Sequence, residues 1–96
     1  MAIGIIARIP VQPGKNAEFE AVFAELQAAV KANEPGNNFY ELHKSSSDEN
    51  LYIVMEQYAD QAAVDAHGAS DHFKTIGAKM GPFMAGRPEI ERMQSV

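Results

Sequence analysis

The sequence predicts an α+β fold, a four-stranded antiparallel sheet with helices packed on one face. Three observations predict it. Runs with apolar residues at every second position, the period of a strand, alternate along the chain with a run at three- and four-residue spacing, the period of a helix. Clusters of Pro, Gly, Asn, Asp and Ser separate these runs at short intervals. The 96 residues, 46% hydrophobic and 22% charged, have the composition of a globular chain and not of a disordered one. A chain of this length is expected to form one domain over residues 1–96 and to bury roughly 65% of its unfolded surface.

Ile3, Ile5, Ala7, Ile9 and Val11 alternate with Gly4, Ile6, Arg8 and Pro10, which reads as a strand over Ile3 to Val11 with apolar character on both faces. Pro13-Gly14 marks a turn. Phe19, Val22, Phe23, Leu26 and Val30 then recur on one side with Glu18, Glu20, Glu25 and Lys31 opposite, so an amphipathic helix runs from about Lys15 to Asn33. Asn33-Glu34-Pro35-Gly36-Asn37-Asn38 stops it. Phe39 to Lys44 and Leu51 to Tyr58 are β-prone runs joined by the polar Ser45 to Asn50, an antiparallel pair. Asp60 caps a short helix over Gln61 to His67, Gly68 interrupts it, and Ser70 caps another from Asp71 to about Met80. Pro88 to Met93 closes the sheet.

This order, strand, helix, strand, strand, helices, strand, is the split β-α-β of the ferredoxin-like arrangement. Helices on one face leave the other face bare, yet Ile6, Leu51, Ile53 and Met55 make that face apolar. It needs a cover. A second copy across a two-fold axis is the simplest one, so a homodimer is expected.

Thirteen acidic against eight basic residues give a net charge of -5, which repels phosphate backbones and anionic membrane surfaces. Neither nucleic acid nor a membrane is an expected partner. With no cysteine, a disulfide framework, a thiolate zinc site and a cysteine nucleophile are all excluded. The apolar stretch from Met1 to Ile9 is too short to span a membrane, carries no basic leader and runs into Pro10, so a cytoplasmic protein is expected. The chain has no G-x-G-x-x-G, no P-loop and no G-x-S-x-G, which leaves dinucleotide, flavin and nucleoside-triphosphate chemistry without support and no cofactor expected.

The three histidines are the first candidates for chemistry, because imidazole alone titrates near neutrality unperturbed. His67 closes one short helix, where the dipole favours its charged form, and His72 opens the next, where the dipole disfavours it. The two are therefore candidates for an acid and base pair; the structural alternative is a cap or a carbonyl contact. No metal is expected, since Gly68-Ala69-Ser70 breaks the helix between them and no carboxylate follows at a recognised ligand spacing. His43, on the strand face of Phe39 and Glu41, either lines a pocket or sits at a wet sheet edge. Glu56 interrupts an apolar face shared with Tyr52, Val54 and Tyr58, and a buried carboxylate there needs a partner, for which His67 and Arg8 are candidates. Phe19, Phe23, Phe73, Phe83, Met80 and Met84 are core residues, some of them facing a cavity expected between helices and sheet, where Gly68, Gly77 and Gly81 loosen the packing.

Glu56 to Ala63 followed by His67, then Ser70-Asp71-His72-Phe73 and Pro82 to Pro88, together with Pro13-Gly14-Lys15, Phe19 and Tyr40-Glu41-Leu42, resemble the antibiotic biosynthesis monooxygenase domain family. The likeness covers nearly the whole chain. It implies a ferredoxin-like unit paired into a dimeric α/β barrel. The family includes cofactor-free oxygenases of anthrones and quinols, haem-degrading enzymes, and an isomerase of a phosphorylated signalling sugar. In the haem-degrading branch the typical Asn, Trp and His would fall at about Ala7, His67 and Gly77, so this chain lacks that constellation.

The resemblance and the residues together lead to a cofactor-independent monooxygenase that oxidises a quinol or anthrone-like dihydroxyaromatic with molecular oxygen. His67 or His72 would act as base and Glu56 would orient it, with Tyr58 or Arg8 steadying the substrate anion and Phe73 and Phe83 walling its ring. Two alternatives stand beside it. One is an isomerase of a small carbonyl compound, with Lys74, Lys79 and Arg87 as the nearest cations if the substrate is phosphorylated; the other is a non-catalytic dimer that binds hydrophobic ligands.

Overall fold

A computed structural model describes residues 1–96 and contains β1 (Ile3–Pro10), α1 (Asn16–Asn33), β2 (Asn37–Lys44), β3 (Leu51–Tyr58), α2 (Gln61–Ala69), α3 (Asp71–Met80) and β4 (Glu89–Gln94), with a 3-10 turn at Gly81–Phe83. The strands form one antiparallel sheet in the order β2-β3-β1-β4, which is the ferredoxin-like arrangement. Val11 lies just outside β1 and pairs singly with Met84. Gly68 does not interrupt the first short helix. It falls within the last turns of α2, where a helical glycine costs about 1 kcal/mol relative to alanine without breaking the helix.

The two caps read from the sequence are present. The Asp60 carboxylate accepts from the Ala63 amide at 2.9 Å and the Ser70 hydroxyl from the Phe73 amide at 3.3 Å, each satisfying an orphan donor at a helix start. Ser70 ends α2 and begins α3. That single-residue corner swings the chain and brings His67 and His72 to the same side.

Strand alternation sends Ile5, Ala7 and Ile9 of β1 and Tyr52, Val54, Glu56 and Tyr58 of β3 toward the helices. Phe19, Phe23, Leu26 and Val30 of α1, each worth roughly 1.5–3 kcal/mol of apolar burial, join Ala7, Ile9, Tyr52 and Val54 in the main buried core, while Ile5 and Tyr58 form a smaller cluster with Val64 of α2. The Phe23 and Tyr40 rings stack at 5.3 Å. On the other face Ile6, Ile53, Phe39, Met55 and Met93 stand uncovered, with Phe39 and Met55 about two-fifths exposed. No helix is long and apolar enough to cross a membrane.

One corner ties α1 to α2. A Cβ at Gly36 would lie 2.6 Å from the Ala63 Cβ, closer than two carbons pack, and the Gly36 carbonyl accepts from the Ala59 amide at 2.8 Å. Gly36→Ala should therefore cost about 1–3 kcal/mol by overpacking, read as a lowered denaturant midpoint, with Ala63→Gly in the same chain recovering part of it. A neutral Gly36→Ala would show that this corner yields freely.

Candidate active site

Between the sheet and the helices lies a cavity of about 620 Å³, within the range of small-molecule sites. Its walls are apolar: Ile5, Ala7 and Ile9 from β1, Val54 from β3, Phe23 and Leu26 from α1, Phe73 and Met80 from α3. Gly68 and Gly77 also line it, and a Cβ at either would meet nothing within 4 Å. The expected position between the helix layer and the sheet is the observed one.

His67 reaches the cavity from α2 and is buried among the Tyr40, Tyr58 and Phe73 rings, at centroid distances of 5.4, 5.4 and 4.6 Å. Its Nδ1 lies 3.0 Å from both carboxylate oxygens of Glu34, a residue at the C-terminal end of α1 whose side chain is only 8% exposed. A nitrogen facing a carboxylate carries the proton and donates, so the neutral ring has its lone pair on Nε2. Nε2 has no protein partner, and no fully buried side-chain nitrogen or oxygen in the structure lacks one. Nε2 therefore opens on accessible space, and the space His67 lines is the cavity.

His72 bonds through Nε2 to the same Glu34 carboxylate. It is not on the cavity wall. The two histidines thus share one anion, and the structure does not present them to a ligand as a separated acid and base. Glu34 lay unnoticed in the stop signal after α1. An acid at a helix C-terminus opposes the dipole, and that conflict was the available sign that tertiary contacts must hold it.

Glu56 is buried on the wall, and the Tyr58 hydroxyl donates to its Oε1 at 2.8 Å. Its partner is Tyr58, not the expected His67 or Arg8. Burial pushes the Glu56 carboxyl from 4.5 up to about 7, the Tyr58 hydrogen bond works against that rise, and the Glu34 charge adds to it. Burial, followed by the Glu56 charge, likewise raises the Tyr40 and Tyr58 hydroxyls, keeping both as neutral donors.

Arg8 and His43 are not at the cavity. Their register puts Arg8 opposite Ile53 and Glu89, and His43 opposite Ile53, on the uncovered sheet face, where Arg8 pairs with Glu91 at 3.4 Å and His43 is exposed on an edge strand. Odd and even positions of a strand point to opposite faces, so neither can turn inward. Phe73 lines the cavity; Phe83 packs half-buried against the core beside it. Tyr58 stands behind Glu56.

Glu34, His67 and His72 bring their ligand atoms within 4.8 Å of one another, the donor set of a two-histidine, one-carboxylate metal site. The helix does break between the two histidines and no carboxylate follows at a local ligand spacing, but the Ser70 corner turns the histidines to the same side and the end of α1 supplies Glu34 from a distant segment. In the structure hydrogen bonds join the three. Those bonds engage the same atoms that a metal would use.

The family model of the antibiotic biosynthesis monooxygenases matches residues 2–79. YcnE of Bacillus subtilis strain 168, provisionally named a monooxygenase, is 30% identical over 90 residues, which are 92% of each chain. A crystal structure from Caulobacter crescentus CB15, provisionally named an antibiotic biosynthesis monooxygenase, shares 52% identity and superposes with a TM-score of 0.96 over 99% of this chain and 90% of that one. A conserved protein of Methanosarcina mazei Go1 is 25% identical with a TM-score of 0.92, over 100% of this chain and 94% of that one.

Glu56 links the site to stability. The folded carboxyl keeps its proton between pH 4.5 and about 7, where the unfolded one has lost it, so its contribution is complete below pH 4.5 and falls away as pH rises to about 7. Glu56→Gln keeps an acceptor for Tyr58 and removes the titration. Denaturant unfolding across that range should show the native chain losing on the order of 3 kcal/mol that the variant retains; parallel stability curves would contradict the assignment.

Proposed function

The chain belongs to the antibiotic biosynthesis monooxygenase family, and from that premise we propose that it is a cofactor-independent monooxygenase of a small quinol or anthrone-like substrate. The observation that carries the reading is His67, anchored at Nδ1 by buried Glu34 with Nε2 open to an apolar cavity. Triplet oxygen reacts slowly with closed-shell organic molecules, but readily accepts electrons from an electron-rich anion. A base that removes one phenolic proton in a dry pocket is therefore sufficient machinery.

In this scheme Nε2 takes the phenolic proton and the ring anion delivers electrons to oxygen. A carbon–oxygen bond forms, giving a hydroperoxide once a proton is added; the same carbon then gives up its hydrogen as a proton, and that C–H electron pair forms the carbonyl as the oxygen–oxygen bond breaks. One oxygen atom stays on the ring as a carbonyl and the other leaves as water. Glu56, half-protonated near neutral pH, is suited to supply a proton to the departing oxygen. Glu34 is a positioning residue, holding the tautomer as the aspartate does in a catalytic triad. The uncovered sheet face, with Phe39, Met55 and Met93 exposed, supports function as a homodimer.

Glu56 and His67 also favour a second reading. A carboxyl raised to about 7 that lines the same cavity as an open imidazole nitrogen is an acid and base pair able to move a proton within a small carbonyl compound without oxygen.

Oxygen uptake with menadiol should exceed autoxidation, survive a metal chelator, and place one ¹⁸O atom from labelled oxygen gas in the product. His67→Ala should lower kcat by about 10²–10⁴. Uptake no greater than background with quinols and anthrones would remove the oxygenase reading; catalysed isomerisation in the absence of oxygen would favour the second.

A further inference from the structure

The apolar cavity has two charged regions. Glu56 and His67 form the buried one. The other is the rim, where Lys74 of α3 and Arg92 of β4 line the opening and are exposed. Of the eight Lys and Arg residues, Arg8, Lys15, Lys44 and Lys79 are in ion pairs; Lys31, Lys74, Arg87 and Arg92 are not, and of these four Lys74 and Arg92 line the cavity. Asp65 is the one acid at the rim, and Gln61 donates to it at 2.9 Å. Two cations and one anion leave about one positive charge there, in a chain whose net charge is -5.

Strand register fixes the separation of the two regions. Ile5 pairs with Glu56 on one side and with Arg92 on the other, so all three residues share the cavity face. Glu56 and Arg92 are two strand spacings apart, about 10 Å between backbones. Ile90, the next cavity-facing residue of β4, also lines the cavity and is 56% exposed.

We infer that the substrate carries a carboxylate, which Arg92 and Lys74 hold at the rim while the ring lies along Ile5 and its hydroxyl reaches His67 and Glu56. The guanidinium fork matches a planar carboxylate in two parallel hydrogen bonds, and the ammonium adds a third contact. One residual positive charge suits a monoanion better than a phosphate dianion. The chemical step rests on the oxygenase reading; the anion clamp does not.

The test separates the two. Isothermal titration with 2-naphthoate and 2-naphthamide, neither of which has a phenol to oxidise, should show the acid binding at least about tenfold tighter. Arg92→Gln with Lys74→Gln should abolish that preference and leave the amide unchanged; both positions are on the surface, so the fold should survive. Equal affinities, no naphthoate binding, an equal loss for both ligands, or tighter binding of 2-naphthyl phosphate would overturn the inference. Oxygen uptake with 1,4-dihydroxy-2-naphthoate against menadiol is the second arm. A lower KM for the carboxylated quinol, lost in the double variant, supports the whole account, whereas the naphthoate preference without oxygen uptake from either quinol keeps the clamp and removes the oxygenase.

Discussion

The buried carboxylate of Glu34 is the contact around which the helical layer is arranged. An ion taken out of water must be repaid by donors, and here His67 and His72 supply them from two different helices. One side chain thereby joins the end of α1 to α2 and α3. The Ser70 corner and the close approach of Gly36 to Ala63 are the backbone devices that let it do so. Removing one member of such a buried set leaves an unpaired charge, so stability and the orientation of His67 are set by the same hydrogen bonds.

The sheet contributes in a different way. Alternation along β1 and β3 builds a wall that is apolar except at Glu56, and the short α2 and α3 do not fill the space above it. Gly68 and Gly77, on the cavity wall, lower the intrinsic stability of the two helices. Glu56, buried and pushed toward neutrality, is a cost to the folded state above its titration range. Such costs are concentrated where a site needs a proton held in low-dielectric surroundings.

The elements were legible in the sequence because each has its own periodicity and punctuation: β3 was read over Leu51 to Tyr58 and α3 over Asp71 to Met80, as observed. The Asp60 and Ser70 caps were legible for the same local reason. The site was only half legible. His67, Glu56 and Phe73 stand on the wall because their faces follow from spacing, but Glu34 and Arg92 come from segments far away in the chain, and no local pattern joins them to α2. Residue type suggests Arg8 as a pocket group, but strand parity sends it to the opposite face; His43, open between a pocket wall and a wet sheet edge, lies on that same face at the edge. The resemblance carried family and fold, and it did not separate oxygenase from isomerase.

Glu34 fixes His67 with its proton on Nδ1 and its free nitrogen toward the cavity. A long-range ¹H–¹⁵N correlation spectrum of the histidine side chains tests it directly. At a pH where His67 is neutral, the account predicts a protonated Nδ1 and an unprotonated Nε2, with the preference weakened in Glu34→Gln. A neutral His67 carrying its proton on Nε2 would contradict it.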